Sequence, residues 1–560
     1  MSVVNAYTYK SLGGLKTTNM ISSYNTYIQN YVEEDNQVKP RLLKNYSYIY
    51  NSKGQISDVF SVSANGIPTT TESNDDFNAS AEKTRHYEYD ELGQLVKEVD
   101  LDLNKAILYY YDRGGNIVEK RIYQNENSND TSAFSFNKLN NQLILNSCTE
   151  DILYEYDDPN FKDLLTSYNG NEIEYDNAGN PLNYCGNTMY GITASGELKW
   201  SGKNLVSFTD TENERYYEYK YNADGLRTQK LIYSIKNDNS KSLTSTMDYI
   251  WNNDVIVGYR ITAYNSSGNP SSLITMKPVY DSNGGINGIM FTTRNPESNE
   301  IENSGTFGVL RDGLGNITDL YTSDDSLTYH FNYDAYGNCD LGFSGFNMSE
   351  ILERLGTTNP LLISIIIFIY AIVIAAVVSG TVVTTQQNYR GYLYDIETGL
   401  YYNQTRYYSP SWGRFINCDD VNVLTKDTSE VLGANLFKYC DNDPINYTDP
   451  SGFSKLSNAY DNSLLSLVGI NSTEASKLDI ALSSKQNTVD SKIIESSLAL
   501  TTEQQDVWSE VFDEKPNTVK KTSGYNYLSS HLNSNGNGNT KLYNTENKSP
   551  YGTNTAFNNQ

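Results

Sequence analysis

Histidine is nearly missing from this 560-residue chain, with only His86, His330 and His531 present. Imidazole-based metal sites and Ser-His-Asp catalysis are poor readings of such a sequence. Cysteine is scarce as well. The five residues Cys148, Cys185, Cys339, Cys418 and Cys440 contain no C-x-x-C pair. Neither a zinc site nor a disulfide framework is expected, and the thiols read as buried small hydrophobes. Basic residues are in deficit: 42 Lys+Arg against 68 Asp+Glu leave a formal charge of −26. That charge repels phosphate backbones and anionic headgroups, so the body of the chain is not expected to grip nucleic acid. The opening Met1-Ser-Val-Val-Asn-Ala-Tyr7 has no basic n-region and no early apolar run, so no signal peptide is read there. In residues 454–560 no Gly-rich phosphate loop, paired metal ligands or H-x-E is found, and no metal or cofactor is expected for the chain.

Tyrosine is abundant. Its 48 copies are roughly three times ordinary usage, and many fall in a recurring phrase: Tyr, usually Asp, and Gly four residues beyond the Tyr. The copies begin at Tyr50, Tyr89, Tyr111, Tyr175, Tyr221, Tyr280 and Tyr333, and Arg311-Asp-Gly-Leu-Gly315-Asn is a copy without the Tyr. The tightest spacings, 89 to 111 and 311 to 333, are both 22 residues. Flanks such as His86-Tyr-Glu-Tyr89 and Gln94-Leu-Val-Lys97 alternate with period two, the mark of half-buried strands. Asp bonding its own backbone and Gly supplying a positive φ make each phrase a hairpin turn. Hairpins that cannot bury a face alone must stack edge to edge, which predicts an all-β solenoid curling into a hollow or partial shell.

These repeats, the phrase Tyr221-Asn-Ala-Asp-Gly-Leu-Arg227, and a long block near residue 400 together resemble the Rhs/YD-repeat family, relatives of Tc toxin C components and teneurin YD shells. The block contains Tyr389, Arg390, Gly391, Tyr392, Asp395 and Gly399, then Arg406, Tyr407, Tyr408 and Gly413. It closes on Asp449-Pro450-Ser451-Gly452-Phe453. The resemblance covers roughly residues 40–453. It implies a cocoon around the chain's own C-terminal extension as cargo, a toxin delivered to another bacterium, and an immunity protein as partner. It also implies self-cleavage after Phe453 by Asp449 and Asp419, with Arg414 placing charge. Two carboxylates held together can share a proton, one acting as acid and one as base. Phe453 stands where relatives carry Leu, and Asp419-Asp420-Val-Asn stands where many read Asp-Pro-x-Gly. The plain alternative is that Asp-Pro-Ser-Gly is a closing turn without chemistry.

Between the repeats and that block, residues 356–388 carry no charge, and 361–383 are apolar enough for a bilayer-spanning helix. Burial inside the shell, or release toward a target membrane, are its other readings. Past Phe453 the composition shifts: 5 tyrosines in the last 107 residues against 43 before, with no Arg and no Cys. Thr501-Thr-Glu-Gln504 caps a helical pattern through Val507, Trp508, Val511 and Phe512, and beyond Lys521 the chain is too polar to fold alone. The expected organisation is therefore a lead-in (1–39), a YD shell (40–355), an apolar insertion (356–388), a core block (389–453) and an irregular or helical extension (454–560). The functional expectation is an Rhs-type toxin-delivery shell, secreted or at the cell surface. The alternatives are a wall- or carbohydrate-binding surface module, and a self-processing aspartyl protease with no cargo.

Overall fold

The computed structural model describes residues 3–13, 16–32, 38–61, 81–127, 129–188, 193–253, 255–281, 284–321, 327–342, 387–419, 435–453 and 455–457. They are almost wholly antiparallel strand, with single 3-10 turns at Tyr389–Gly391 and Cys440–Asn442. The candidate transmembrane segment 361–383 and nearly all of the extension 454–560, including the helical pattern at 507–512 and His531, lie outside the described residues. Among the described residues no helix is long and apolar enough to cross a membrane.

Each hairpin is built on the turn chemistry the repeat encodes. Asp112 accepts the N–H of Asn116 at 2.9 Å, and its other oxygen accepts that residue's side-chain amide at 2.9 Å. Asp312 with Asn316 and Asp334 with Asn338 repeat both bonds. The residue before each Asn is Gly with φ near +80 to +90, at Gly115, Gly315 and Gly337, where a side chain would be strained. The Tyr ahead of the Asp has a separate task. The hydroxyls of Tyr50, Tyr89, Tyr111, Tyr221 and Tyr280 donate to the carbonyls of Ile21, Ile56, Leu95, Leu205 and Ile256, at 2.6 to 2.7 Å. Each of these five hairpins is thus tied to the strand pair before it. Between ties the strands alternate: Ile107 and Tyr109 are buried, whereas Tyr110 is exposed.

Eleven strands from Val3–Gly13 to Asn171–Glu172 form one sheet, and thirteen from Asn183–Asn187 to Cys339–Gly342 form a second. Residues 173–182 join them, with the Leu182 N–H on the Glu174 carbonyl at 2.7 Å and Tyr175 bridging Pro181. The result is one continuous meander. It folds back so that early strands meet late ones: Asn5 donates to Asn287 (2.7 Å), Tyr48 accepts the Gly313 N–H (2.7 Å), and Lys44 pairs with Asp319 (3.1 Å). The all-β expectation therefore holds.

Two readings need correction. Residues 1–39 are not a lead-in, since Val3–Gly13 and Lys16–Val32 are the first strands of the wall, with Tyr7 packed on the buried Tyr24 (ring centroids 4.8 Å). They lack the Asp-x-x-Gly turn, so the repeat pattern does not mark them. The cysteines are all free, but only Cys339 and Cys440 are buried, and Cys148 is exposed. The structure also shows a further turn of the same wording, Tyr264-Asn265-Ser-Ser-Gly268, in which Asn265 accepts the Asn269 N–H. It connects Val255–Tyr264 to Pro270–Tyr280, one hairpin out of phase, and so sits at the opposite end of the strands from the turn after Tyr280.

Candidate self-processing site

The block beginning at residue 387 is a cap laid across the turn-bearing rim of the wall. Asp443 accepts from Gln55 (3.0 Å), and the Asn442 amide reaches Gln94 (2.9 Å) and the Gly115 carbonyl (2.7 Å). Tyr402 donates to the Gly225 carbonyl (2.9 Å), Arg390 to the Leu314 carbonyl (2.6 Å), and Tyr401 to the Gly337 carbonyl (3.1 Å). Six repeat turns are held this way, four through carbonyls that the hairpin leaves at the rim and two through the side chains of Gln55 and Gln94. Tyr389 and Tyr408 donate to the Ala335 and Tyr336 carbonyls, and Gly413 packs where a Cβ would lie 2.8 Å from Ile117. The cap's aromatic side chains, among them Tyr401, Tyr408, Trp412 and Tyr439, join the strands' interior residues in one buried cluster. Space that a hollow shell would leave open is filled at this end.

The cap is locked by a buried ion cluster. Arg227, the last residue of the Tyr221-to-Arg227 phrase, is fully buried and makes a two-bond fork with Asp395 at 2.6 and 2.7 Å. Its guanidinium lies against the rings of Tyr219 and Tyr402, and it donates to Tyr407 at 3.1 Å. Lys230 pairs with both Asp395 (2.7 Å) and Glu397 (2.9 Å). Two cations and two carboxylates balance. Gly399 closes the adjoining turn with φ +71, against the Asn187 backbone.

Asp419 and Asp449, far apart in sequence, do meet. Both are buried, and both place an oxygen on the same Arg406 nitrogen, at 3.1 and 3.2 Å. The sum of those distances, about 6.3 Å, is the largest separation the two oxygens can have. Arg406 lies over the Phe415 ring, 3.5 Å from its centre, donates to the Leu436 carbonyl (3.1 Å) and reaches the Gly452 carbonyl through Nε. Burial pushes its guanidinium below the usual value, and the two carboxylates oppose that shift. Asp449 also accepts the Phe453 N–H (3.0 Å), and its own N–H donates to Tyr392 (2.8 Å). Gly391 and Gly452 carry positive φ, and Pro450 occupies the first position of the closing turn.

Arg414 is the misplaced assignment. Its guanidinium points to Asn116 (3.4 Å), Tyr156 (2.8 Å) and the Asp163 carbonyl (2.6 Å), wedged against the rings of Tyr156 and Phe437. It ties the cap to the wall, and the charge beside the aspartates comes from Arg406. The reason is register: Arg406 opens the strand Arg406–Ser409, whereas Arg414 lies across the ladder opposite Ser409. The sequence signal for Arg406 was its place in the same block, yet nothing in one dimension shows which arginine faces which acid. Among the described residues no cluster of His, Cys, Asp and Glu is arranged to hold a metal ion.

No family model matches the chain. It is 25% identical over 369 residues, 65% of its length, to a tRNA3(Ser)-specific nuclease WapA of Bacillus spizizenii, and 25% identical over 277 residues to a tRNA nuclease WapA of Bacillus subtilis. The chain spans 12% and 11% of the lengths of these two relatives. Among solved structures, a Photorhabdus luminescens Tc holotoxin pore carrying a TccC3 mutation aligns over 82% of this chain and 18% of that chain, at 17% identity and a TM-score of 0.49. The sequence relatives support a fold related to the Rhs repeats.

Proposed function

We propose that residues 3–453 are the wall and cap of an Rhs-type polymorphic toxin, which encloses the C-terminal extension 454–560 as cargo for contact-dependent competition between bacteria. In this reading the protein is exported or displayed at the cell surface, an immunity protein protects the producer, and Asp419 and Asp449 with Arg406 free the cargo by self-cleavage. The observation that carries it is the cap: one block of chain closes six turns of the rim and ends at Phe453, half exposed beside a buried acid pair on one arginine. The WapA relatives, named for nuclease activity, favour a toxic activity for the cargo.

Sugar binding by a tyrosine-rich surface has less support, because the repeat tyrosines are spent inside the wall. Among the described residues Tyr9 and Tyr110 are the exposed ones, at 40% and 37%. The test is inducible expression of residues 454–560 in bacteria. Growth arrest is expected. Harmless accumulation of that segment overturns the cargo reading.

A further inference from the structure

We infer that the wall is two leaves, residues 3–172 and 183–342, which turn about the junction between them and are stapled shut by the two arms of the cap. This goes beyond the container reading, since it says where the wall opens. A thin junction, a far side without a ladder and a divided cap lead to it.

At the junction the strand pairing runs down. Lys105–Tyr111 faces Ile117–Gln124 over seven residues, whereas Ser167–Tyr168 faces Asn171–Glu172 over two. Beyond Glu172 the Asn183 side chain stands in for backbone partners, donating to the Glu172 carbonyl at 2.7 Å and accepting the Glu174 N–H at 2.8 Å. A few residues at element ends that can absorb a change of direction are what a hinge requires. On the far side the leaves meet again through side chains. The Gly313 N–H donates to the Tyr48 hydroxyl (2.7 Å), Asn5 donates to Asn287 (2.7 Å), and Lys44 pairs with Asp319 (3.1 Å). The leaves share the buried aromatic cluster, but among the described residues no backbone hydrogen bond crosses from one to the other on this side. They can therefore part without unzipping a ladder.

The cap spans both leaves, and its two parts grip different ones. The earlier part holds the second leaf: Tyr389 donates to the Ala335 carbonyl, Tyr402 to the Gly225 carbonyl, and Asp395 forks on Arg227. The later part holds the first leaf. Arg414 reaches Asn116, Asn442 reaches Gln94 and the Gly115 carbonyl, and Asn446 accepts the Ile56 N–H at 2.8 Å and donates to Tyr89 at 3.0 Å. The Asn417 contact to the Lys203 carbonyl, at 3.5 Å, departs from this division. The change-over falls at Ser411. Its carbonyl accepts from Lys120 (3.3 Å), Tyr154 (3.2 Å) and Tyr168 (3.2 Å) of the first leaf, while its hydroxyl accepts the Asn187 N–H (2.8 Å) of the second. Sealing a rim needs contact with both leaves, but it does not need a separate arm for each. Separate arms let one leaf be released while the other stays capped.

The experiment follows hydrogen exchange of the full chain, resolved to single residues by fragmentation mass spectrometry. The Gly313 N–H reports the far side, the Ile56 N–H the arm on the first leaf, and the Arg227 N–H, which donates to Tyr402 at 3.1 Å, the arm on the second. Asn442→Ala/Asn446→Ala removes amide bonds of the first arm. Exchange at Gly313 is expected to rise about 10-fold or more, while Arg227 and the ladder amides of Lys105–Tyr111 keep their wild-type rates. An equal rise at Arg227 overturns the two arms, because the cap then lifts as one piece. Unchanged exchange at Gly313 overturns the staple, and an equal rise in the ladder overturns the hinge, because the leaf then melts instead of turning. In the wild-type chain Ile56 and Gly313 should open together, with one dependence on low urea. Two different dependences overturn the coupling, so the proposal stays decidable if the variant fails to fold.

Discussion

Replacing Arg227 by Met should unlatch the cap from the wall. In the native cluster Arg227 and Lys230 face Asp395 and Glu397, so the buried charges cancel, and all four side chains are within 3% of complete burial. Arg227→Met leaves a net negative charge in a site that water does not reach. Breaking a buried pair from one side costs about 3–5 kcal/mol, whereas removing both partners together is nearly neutral. Arg227→Met/Asp395→Asn restores the balance, because Lys230 still faces Glu397 at 2.9 Å. The double variant should therefore be more stable than the single one, although it lacks more native groups. Native-state hydrogen exchange in the strands Leu393–Asp395 and Leu400–Asn403 is the direct assay. Local opening should rise roughly 10²- to 10⁴-fold in Arg227→Met and fall back by at least ~10-fold in the double variant. A double variant that opens as readily as the single one would refute the charge-balance account and leave lost packing on Tyr219 and Tyr402 as the explanation.

Tyr50→Phe removes the hydroxyl that reaches the Ile21 carbonyl at 2.6 Å and should cost about 1–3 kcal/mol in urea unfolding, with no change in near-neighbour packing. Stability should fall as pH rises from the ordinary glutamate value of 4.5 through about 8, because burial and then the neighbouring Asp334 push the Glu98 carboxyl up to about 8. The sign follows from linkage: the folded chain holds that proton over a range where the unfolded chain has released it, so raising the pH favours unfolding. Asp334, Asp100, Arg85, Tyr109 and Lys120 surround this group, and Asp100 is itself raised to about 6 by burial. Glu98→Gln should flatten the upper part of that loss in thermal melts taken across the range, while keeping an acceptor for the Ala335 N–H. Gly452→Ala places a Cβ 2.6 Å from the Asn403 carbonyl at φ +69, and should loosen the closing turn, seen as faster proteolysis near residue 453.

The repeat phrase determined the local structure by itself. Asp and Gly at fixed offsets leave a tight turn as the satisfied conformation, and alternating aromatic and polar flanks leave a strand with one dry face. Tyr89, Asp90 and Gly93 could be assigned to a hairpin without coordinates, and an all-β meander follows from repeating that unit. The strands Val3–Gly13 and Lys16–Val32 carry no repeat phrase, because ladder pairing with a neighbour needs no turn motif of its own. What only the tertiary structure decided is which distant groups meet. Whether Arg406 or Arg414 faces Asp419 and Asp449 depends on strand register and on how the cap lies over the rim. A shift of one residue sends a side chain to the opposite face, and no local preference distinguishes the two arginines.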